Sequence, residues 1–190
     1  MSSNNSSFLG RLTGFAAKPW RSQARSLAFR WLRFFPIVPL PFRLPFGAWW
    51  LLRNDVIGAT LLDGTFENAE RLFVEKFLKP GMLVLDIGAN QGFYTLLSLH
   101  KVGPRGKVFA FEPSPREIRH LKLHLWLNRC KNVEVSASAL GASAGTGELH
   151  VVLGSESGCN SLRAPAVSQP TGQVFVPVEF NVAAKDTQLA

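Results

Sequence analysis

The sequence contains little cysteine, and its two cysteines form no recognisable pattern. Cys130 and Cys159 stand 29 residues apart, and neither has a Cys or His neighbour at the spacing of a zinc site. The sequence therefore indicates neither a metal site nor a disulfide framework. We expect two free thiols in a reducing cytoplasm.

Acidic residues are absent from residues 1–53, a segment that carries eight basic residues. From Asn54 onward, 13 basic and 13 acidic residues cancel, so the formal charge of +8 lies in the N-terminal segment alone. The rest of the chain lacks the basic stripe that follows a nucleic-acid backbone. We therefore expect no nucleic-acid partner.

Long hydrophobic runs are also missing. Arg33 and Arg43 interrupt the most apolar stretch, which leaves no run near the roughly 18 residues that span a bilayer. The first residues, MSSNNSSFLG, lack the charged and apolar regions of a secretory signal. These absences predict a cytoplasmic protein that is soluble or membrane-peripheral.

An amphipathic helix is predicted for residues 20–35. At about 100° per residue, its arginines lie outside one apolar arc, which comprises Trp20, Ala24, Leu27, Ala28, Trp31, Phe34 and Phe35. Such a face is typical of an interfacial membrane anchor, which would lie within residues 8–35. It is equally typical of a helix that packs on its own domain. Four prolines between positions 36 and 45 then favour an extended connector. We predict a basic arm and linker over residues 1–45 and a folded domain over residues 46–190.

Short apolar runs alternate with helical patterns in the predicted domain. Strands are expected at 82–86, 107–112 and 132–137, with helices at 93–102 and 114–128 between them. This alternation is typical of a doubly wound, Rossmann-like α/β sheet with parallel strands. Residues 66–78 fit a further helix, residues 46–62 fit a hairpin or a strand and a helix, and 148–153 and 173–180 fit an exposed strand pair.

The turn VLDIGANQGFYT, residues 84–95, leaves the first of these strands and predicts a ligand site. A dinucleotide-binding turn that begins at Gly88 would require glycine where Asn90 and Phe93 stand. Asp86 would also repel a pyrophosphate, whereas it would attract the sulfonium and ammonium groups of S-adenosylmethionine. The loop N–H groups could bind the methionine carboxylate, and Glu112 could accept the ribose hydroxyls, as an acid does in NAD sites too. We favour S-adenosylmethionine over NAD.

Residues 66–128 resemble the front half of the FkbM family of S-adenosylmethionine-dependent methyltransferases. The elements that carry the resemblance are Asp-Ile-Gly-Ala-Asn-Gln-Gly-Phe-Tyr at 86–94 and Phe-Glu-Pro at 111–113, with weaker matches at ALGASAGTGEL and GCNSL. The resemblance implies a methyltransferase sheet and methyl transfer to a hydroxyl oxygen of a small-molecule acceptor, a sugar or secondary metabolite.

The resemblance also implies a cofactor site. Asp86, Gly88, Ala89, Asn90 and Gly92 would form the donor loop, with Tyr94 near the methionine end. Glu112 would hold the ribose, Pro113 would shape the turn against the adenine, and Ser138 and Ala139 would close the adenine side. No catalytic residue and no metal ligand is predicted.

Two histidines stand four residues apart on one predicted helix, a spacing at which histidines can bind a metal. His120 and His124 lack the glutamate of an H-E-x-x-H motif, so we expect them on a solvated face.

The resemblance fails towards the end of the chain. Family members continue into a buried strand close to K-I-D-V-E-G-A-E, which no segment of this sequence matches. We therefore expect a truncated member with an incomplete sheet, strands 3-2-1, and an exposed apolar edge. The alternative function is a non-catalytic fragment that binds S-adenosylmethionine or associates with membrane surfaces.

Overall fold

The computed structural model describes residues 20–153, 160, 162 and 171–179. Several predictions therefore fall outside the described residues: the start of the arm, Cys159, and most of GCNSL. The chain divides into two compact units, one of residues 1–40 and 52–66 and one of residues 41–51 and 67–190. The predicted division between residues 45 and 46 stays a prediction. No helix in the described ranges is long and apolar enough to cross a membrane.

The first unit contains the helices α1 (Trp20–Phe34) and α2 (Val56–Asp63). Asp55 begins α2 because its side chain accepts the Gly58 N–H at 2.7 Å, and Gly64 ends it in the left-handed conformation. The structure therefore has a strand and a helix between residues 46 and 62, the second of the two predicted alternatives.

Exposed and buried apolar residues of α1 do not follow the predicted arc. Leu32, which lies outside the predicted arc, is 3% exposed, whereas Leu27, Trp31 and Phe34 within the arc are 54%, 41% and 68% exposed. These three residues of the arc therefore face solvent.

The second unit contains the predicted parallel sheet. Its strands are β3 (Leu83–Ile87), β4 (Lys107–Phe111) and β5 (Val133–Ser136), in the order β3-β4-β5. Both strand pairs are parallel, with Asp86 beside Ala110 and Phe111 beside Ser136. Helix α4 (Phe93–Val102) connects the first pair and α5 (Pro115–Leu127) the second. This arrangement confirms the α/β fold class.

The core of this unit lies where the helices cover β4. Four consecutive β4 residues, 108–111, are buried, as expected for a central parallel strand covered on both faces. Helix α5 buries Ile118, Leu121 and Leu125, apolar residues spaced three and four positions apart on one helix face. A two-stranded sheet of β1 (Leu40–Arg43) and β2 (Trp49–Leu52) precedes these elements.

The predicted exposed strand pair is also present. β7 (Gly145–Val152) and β8 (Thr171–Glu179) pair antiparallel, and β8 pairs in parallel with the short strand β6 (Ala139–Leu140). The sequence did not predict β6, because two residues are too few to show a period.

The open edge of the parallel sheet lies at β3, as the sequence predicted. In the part of the chain that the structure describes, β3 pairs with β4 alone, and Leu83, Leu85 and Ile87 are exposed. Helix α3 (Asn68–Phe77) has no buried residue, although Ala69, Leu72, Phe73 and Phe77 recur at helical spacing. Periodicity identifies a face that could be buried, not the element that covers it.

Gly106, between α4 and β4, lies where no larger residue fits. A Cβ at this position would lie 2.6 Å from the Met82 carbonyl oxygen and 2.4 Å from Val102 Cβ. We expect Gly106→Ala to lower the free energy of unfolding by about 1–3 kcal/mol in urea denaturation. Gly145→Ala is the control, because a Cβ there meets nothing within 4 Å. Equal stabilities of the two variants would contradict this packing.

Candidate functional site

The turn that follows β3 contains three residues with positive φ: Gly88 at 77°, Asn90 at 50° and Gly92 at 94°. The two glycines serve different purposes. A Cβ on Gly92 would lie 2.5 Å from Leu121 Cδ1, so glycine allows α5 to pack close to the turn. A Cβ on Gly88 would meet nothing within 4 Å, so the space in front of Gly88 is open to a ligand.

The backbone donors of the turn are already engaged. The N–H groups of Gly88 and Ala89 both donate to the Phe111 carbonyl, at 2.9 and 3.0 Å, and that of Gly92 donates to the Ala89 carbonyl at 2.8 Å. The Asn90 N–H donates to Glu112 Oε2 at 2.7 Å. The expectation that these N–H groups are available for a ligand carboxylate is therefore wrong for this structure. The reason is that Phe111 and Glu112, at the end of β4, lie close enough to accept three of them, and the fourth donates within the turn.

Glu112 connects three parts of the site. Its side chain is buried, and its other oxygen, Oε1, accepts the Ser114 N–H at 2.7 Å where α5 begins. Burial raises the pKa of Glu112, while the two backbone donors oppose that rise and the negative charges of Glu117 and Asp86 add to it. Each carboxylate oxygen can accept a second hydrogen bond, so Glu112 keeps capacity for a ligand hydroxyl.

Asp86 places a second carboxylate at the same edge of the sheet. Thr95, in the first turns of α4, donates its hydroxyl to Asp86 Oδ2 at 2.5 Å. Burial raises the pKa of Asp86, and the bonds to Thr95 partly oppose this rise. Two partly desolvated carboxylates at the ends of neighbouring strands create a site in which a bound cation is favourable.

Most of the remaining predicted residues line two cavities. Gly88, Pro113 and Ala139 line one of about 200 Å³. Ser138, next to Ala139, is fixed by a 2.7 Å bond from its hydroxyl to Glu179 of β8, a residue that sequence reasoning missed. The structure thus brings the residues predicted on the adenine side together.

Tyr94 and Asp86 line the other cavity, of about 190 Å³. Burial raises the pKa of the Tyr94 hydroxyl, and the nearby Glu67 carboxylate raises it further. Tyr94 therefore keeps its proton, and its side chain lines the same cavity as Asp86. Ala89 is buried and lines neither cavity.

His124 is a supporting residue that the sequence prediction placed wrongly. It is fully buried, not on a solvated face. Its Nε2 accepts the Leu51 N–H at 3.2 Å, and its Nδ1 lies 2.8 Å from the Gln91 carbonyl oxygen in the turn. Because an N–H only donates and a carbonyl only accepts, the ring is the neutral Nδ1–H tautomer. The spacing from Leu121 and Leu125, which share its helix face, was the signal that could have found it.

Helix α5 holds strand β2 through the same face. One turn after His124, Asn128 accepts the Trp49 N–H and donates to the Trp49 carbonyl, both at 2.7 Å. The Trp50 ring stacks on His124 with centroids 3.9 Å apart. His124 therefore connects β2 to the glycine turn and acts as a positioning residue for that turn.

We expect His124→Phe to lower the free energy of unfolding by about 2 kcal/mol or more, because it leaves the Leu51 N–H and the Gln91 carbonyl without this buried partner. Urea denaturation measures the change. His100→Phe, at an exposed histidine near the end of α4, is the matched control and should change stability little. Similar losses in the two variants would contradict the assigned role.

A parallel α/β sheet, a glycine turn after its first strand and an acid after its second define a class of domain that binds nucleotide-like ligands. The chain belongs to the FkbM methyltransferase domain family, whose model matches residues 86–186, more than half of the sequence. This match confirms the resemblance identified from the turn and the Phe-Glu-Pro element.

Similarity to individual proteins covers shorter segments. The chain is 35% identical over 78 residues to protein-L-isoaspartate O-methyltransferase 1 of Arabidopsis thaliana, which is 41% of this chain and 30% of that protein. It is 46% identical over 46 residues to ribosomal RNA large subunit methyltransferase E of Nitrosomonas eutropha, which is 24% of this chain and 21% of that protein. The chain thus spans less than a third of the length of these curated relatives.

A solved structure gives a similar result. The match to a SAM-dependent methyltransferase from Aquifex aeolicus has 35% identity and a TM-score of 0.34, and it covers 37% of this chain and 38% of that one. S-adenosylmethionine, the cofactor predicted from the sequence, is supported for this chain by its membership of a methyltransferase family.

Proposed function

We propose that the chain serves S-adenosylmethionine-dependent methyl transfer to a hydroxyl oxygen of a small molecule, a sugar or secondary metabolite. The observation that carries the donor half of this proposal is the pair of partly desolvated carboxylates, Asp86 and Glu112, beside an open glycine turn. The donor has a sulfonium and an ammonium group against one carboxylate, so its net charge complements the pair. The acceptor class follows the family resemblance.

Each predicted residue has a role in this proposal. Asp86 attracts the cationic end of the donor with Tyr94 beside it, and Glu112 accepts the ribose hydroxyls. Gly88, Pro113 and Ala139 line the space for the adenine. Ala89, Asn90 and Gly92 shape the turn through their backbones. Because the N–H groups of the turn already donate to protein oxygens, other donors would have to bind the methionine carboxylate.

The reaction itself requires mainly alignment. The acceptor oxygen attacks the donor methyl carbon, a carbon–oxygen bond forms, the carbon–sulfur bond breaks, and its electron pair leaves with S-adenosylhomocysteine. The hydroxyl proton goes to a base or to water. Holding donor and acceptor in line supplies most of the rate enhancement in such a displacement. Our proposal assigns the donor side to the residues above.

Calorimetric titration of Asp86→Asn tests the charge role. Asparagine keeps an oxygen for the Thr95 hydroxyl but removes the negative charge, so we expect S-adenosylmethionine to bind at least tenfold more weakly, about 1.4 kcal/mol. S-adenosylhomocysteine, which has no sulfonium charge, should be affected less. Glu112→Gln should weaken both ligands, because both have the ribose.

Glu148→Gln, at an exposed position in β7, is the matched control and should bind as the wild type does. If neither ligand produced heat on titration, the proposed donor site would be wrong. Formation of S-adenosylhomocysteine with a panel of hydroxyl-bearing sugars tests the transfer step. Binding without turnover on any acceptor would favour the non-catalytic alternative.

A second proposal concerns peripheral membrane contact through residues 8–35. Within the described part of this segment, Leu27, Trp31 and Phe34 present an exposed apolar face, and Arg25, Arg30 and Arg33 are exposed as well. An apolar aromatic face with arginines beside it complements an anionic lipid surface. The exposure of these apolar side chains supports this use.

Vesicle flotation of the full chain tests this surface. We expect the wild type to float with vesicles that contain phosphatidylserine, and the double variant Trp31→Ser/Phe34→Ser to stay in the soluble fraction, because it loses the face that inserts. Leu72→Ser/Phe73→Ser, at exposed apolar positions of α3, is the matched control. Equal flotation of all three proteins, or of none, would contradict the proposal.

A further inference from the structure

A large cavity lies away from the candidate cofactor site and has no role in the proposed reaction. Its volume is about 560 Å³, within the range of small-molecule sites. The turn between β1 and β2, the end of α4 and the loop after α5 surround it. We call it the basic cavity and define it by Arg43, Phe46, His100, Arg129 and Lys131.

The charged residues that line the basic cavity are all basic. Arg43, Arg129 and Lys131 line it together with His100, and none of its lining residues is Asp or Glu. Phe46, Leu96 and Leu99 supply apolar wall. Cations that converge on a recess raise the local concentration of anions, and a ring or alkyl group would fit the apolar wall.

Arg129 is held in a conformation that arginine disfavours. Its φ is 53°, in the left-handed region, at the position after a helix end where glycine is usual. The N–H groups of Arg129 and Cys130 donate to the carbonyls of Trp126 and Leu125, which fixes the chain reversal. A residue that lines a cavity in a disfavoured backbone conformation points to a use for its side chain.

Helix ends alone do not account for these cations. Basic residues do favour helix C-termini, and α4 and α5 both end near the basic cavity. However, the Asn132 amide donates to the carbonyls of Gly103 and Gly106, both at 2.9 Å, and the Asn128 amide donates to that of His124. Arg43 belongs to β1, not to a helix, and its guanidinium lies 5.3 Å from the Trp49 ring centroid. The cavity therefore has more positive charge than its helix ends require.

The basic cavity and the candidate cofactor site lie at opposite ends of α4. Phe93 begins the helix beside the glycine turn, and His100, seven residues later, lines the cavity, which corresponds to about 10 Å along the axis. We propose that the basic cavity is a second ligand site, for a phosphate-bearing small molecule with an apolar or aromatic group. This proposal does not depend on the proposed methyl transfer.

Phenyl phosphate is the probe, and its binding to the full-length chain is followed by ¹H–¹⁵N shift perturbation, with phenol as the uncharged comparison. We expect phenyl phosphate to bind saturably and phenol not to bind. Arg43→Gln and Arg129→Gly should each weaken it at least fivefold, whereas Lys122→Gln, at an exposed lysine of α5 outside the cavity, should not. Arg129→Gly should melt at or above the wild-type temperature, because glycine favours the left-handed conformation, so weaker binding could not be attributed to unfolding.

Non-saturable binding, equal binding of phenol, or equal effects of Arg129→Gly and Lys122→Gln would overturn the proposal. Asp86→Asn should leave phenyl phosphate binding unchanged, which separates this site from the cofactor site. Competition with vesicles of phosphatidic acid identifies the source of the phosphate. Displacement of phenyl phosphate by the vesicles indicates a lipid headgroup. Absence of displacement indicates a soluble metabolite, and both results support a phosphate site.

Discussion

The carboxylate of Glu112 is the interaction on which the rest of the site depends. It is buried at the end of β4, and each of its oxygens accepts one backbone N–H, from Asn90 in the glycine turn and from Ser114 at the start of α5. Bonds from N–H groups to a carboxylate are stronger than neutral ones, and they offset part of the cost of burying the charge. One side chain thereby fixes the turn after β3 and the helix after β4 relative to each other.

The turn is also held from its other side. His124 binds the Gln91 carbonyl, Gly92 packs directly against Leu121, and both contacts come from α5. A turn fixed by a strand end and a helix needs little reorganisation to meet a ligand, which is how preorganised sites gain affinity. The contacts that fix the turn also occupy its N–H groups. Binding of the donor therefore depends more on its attraction to Asp86 and Glu112 than on anion binding by the turn.

The sequence predicted the parallel strands, both crossover helices and the exposed edge at β3, because apolar runs and helical periods are local signals. It also predicted the residues at the turn and the family, since the motif at 86–94 and the Phe-Glu-Pro element are contiguous. It could not predict that Phe111 accepts two N–H bonds, that His124 connects β2 to the turn, or that Leu27, Trp31 and Phe34 of α1 face solvent. Those features depend on which elements meet in space. The cofactor role of the predicted residues stays a prediction.

The central claim is that Asp86 and Glu112 form a desolvated carboxylate site for a cationic donor. Burial raises the pKa of both groups, so a bound sulfonium should lower those pKa values and release protons where the two groups titrate. Calorimetric titration with S-adenosylmethionine in buffers of different ionisation enthalpy, repeated over a series of acidic to neutral pH values, measures this release directly. We predict a net release of protons that decreases in Asp86→Asn. Binding without proton release, or no binding, would contradict the claim.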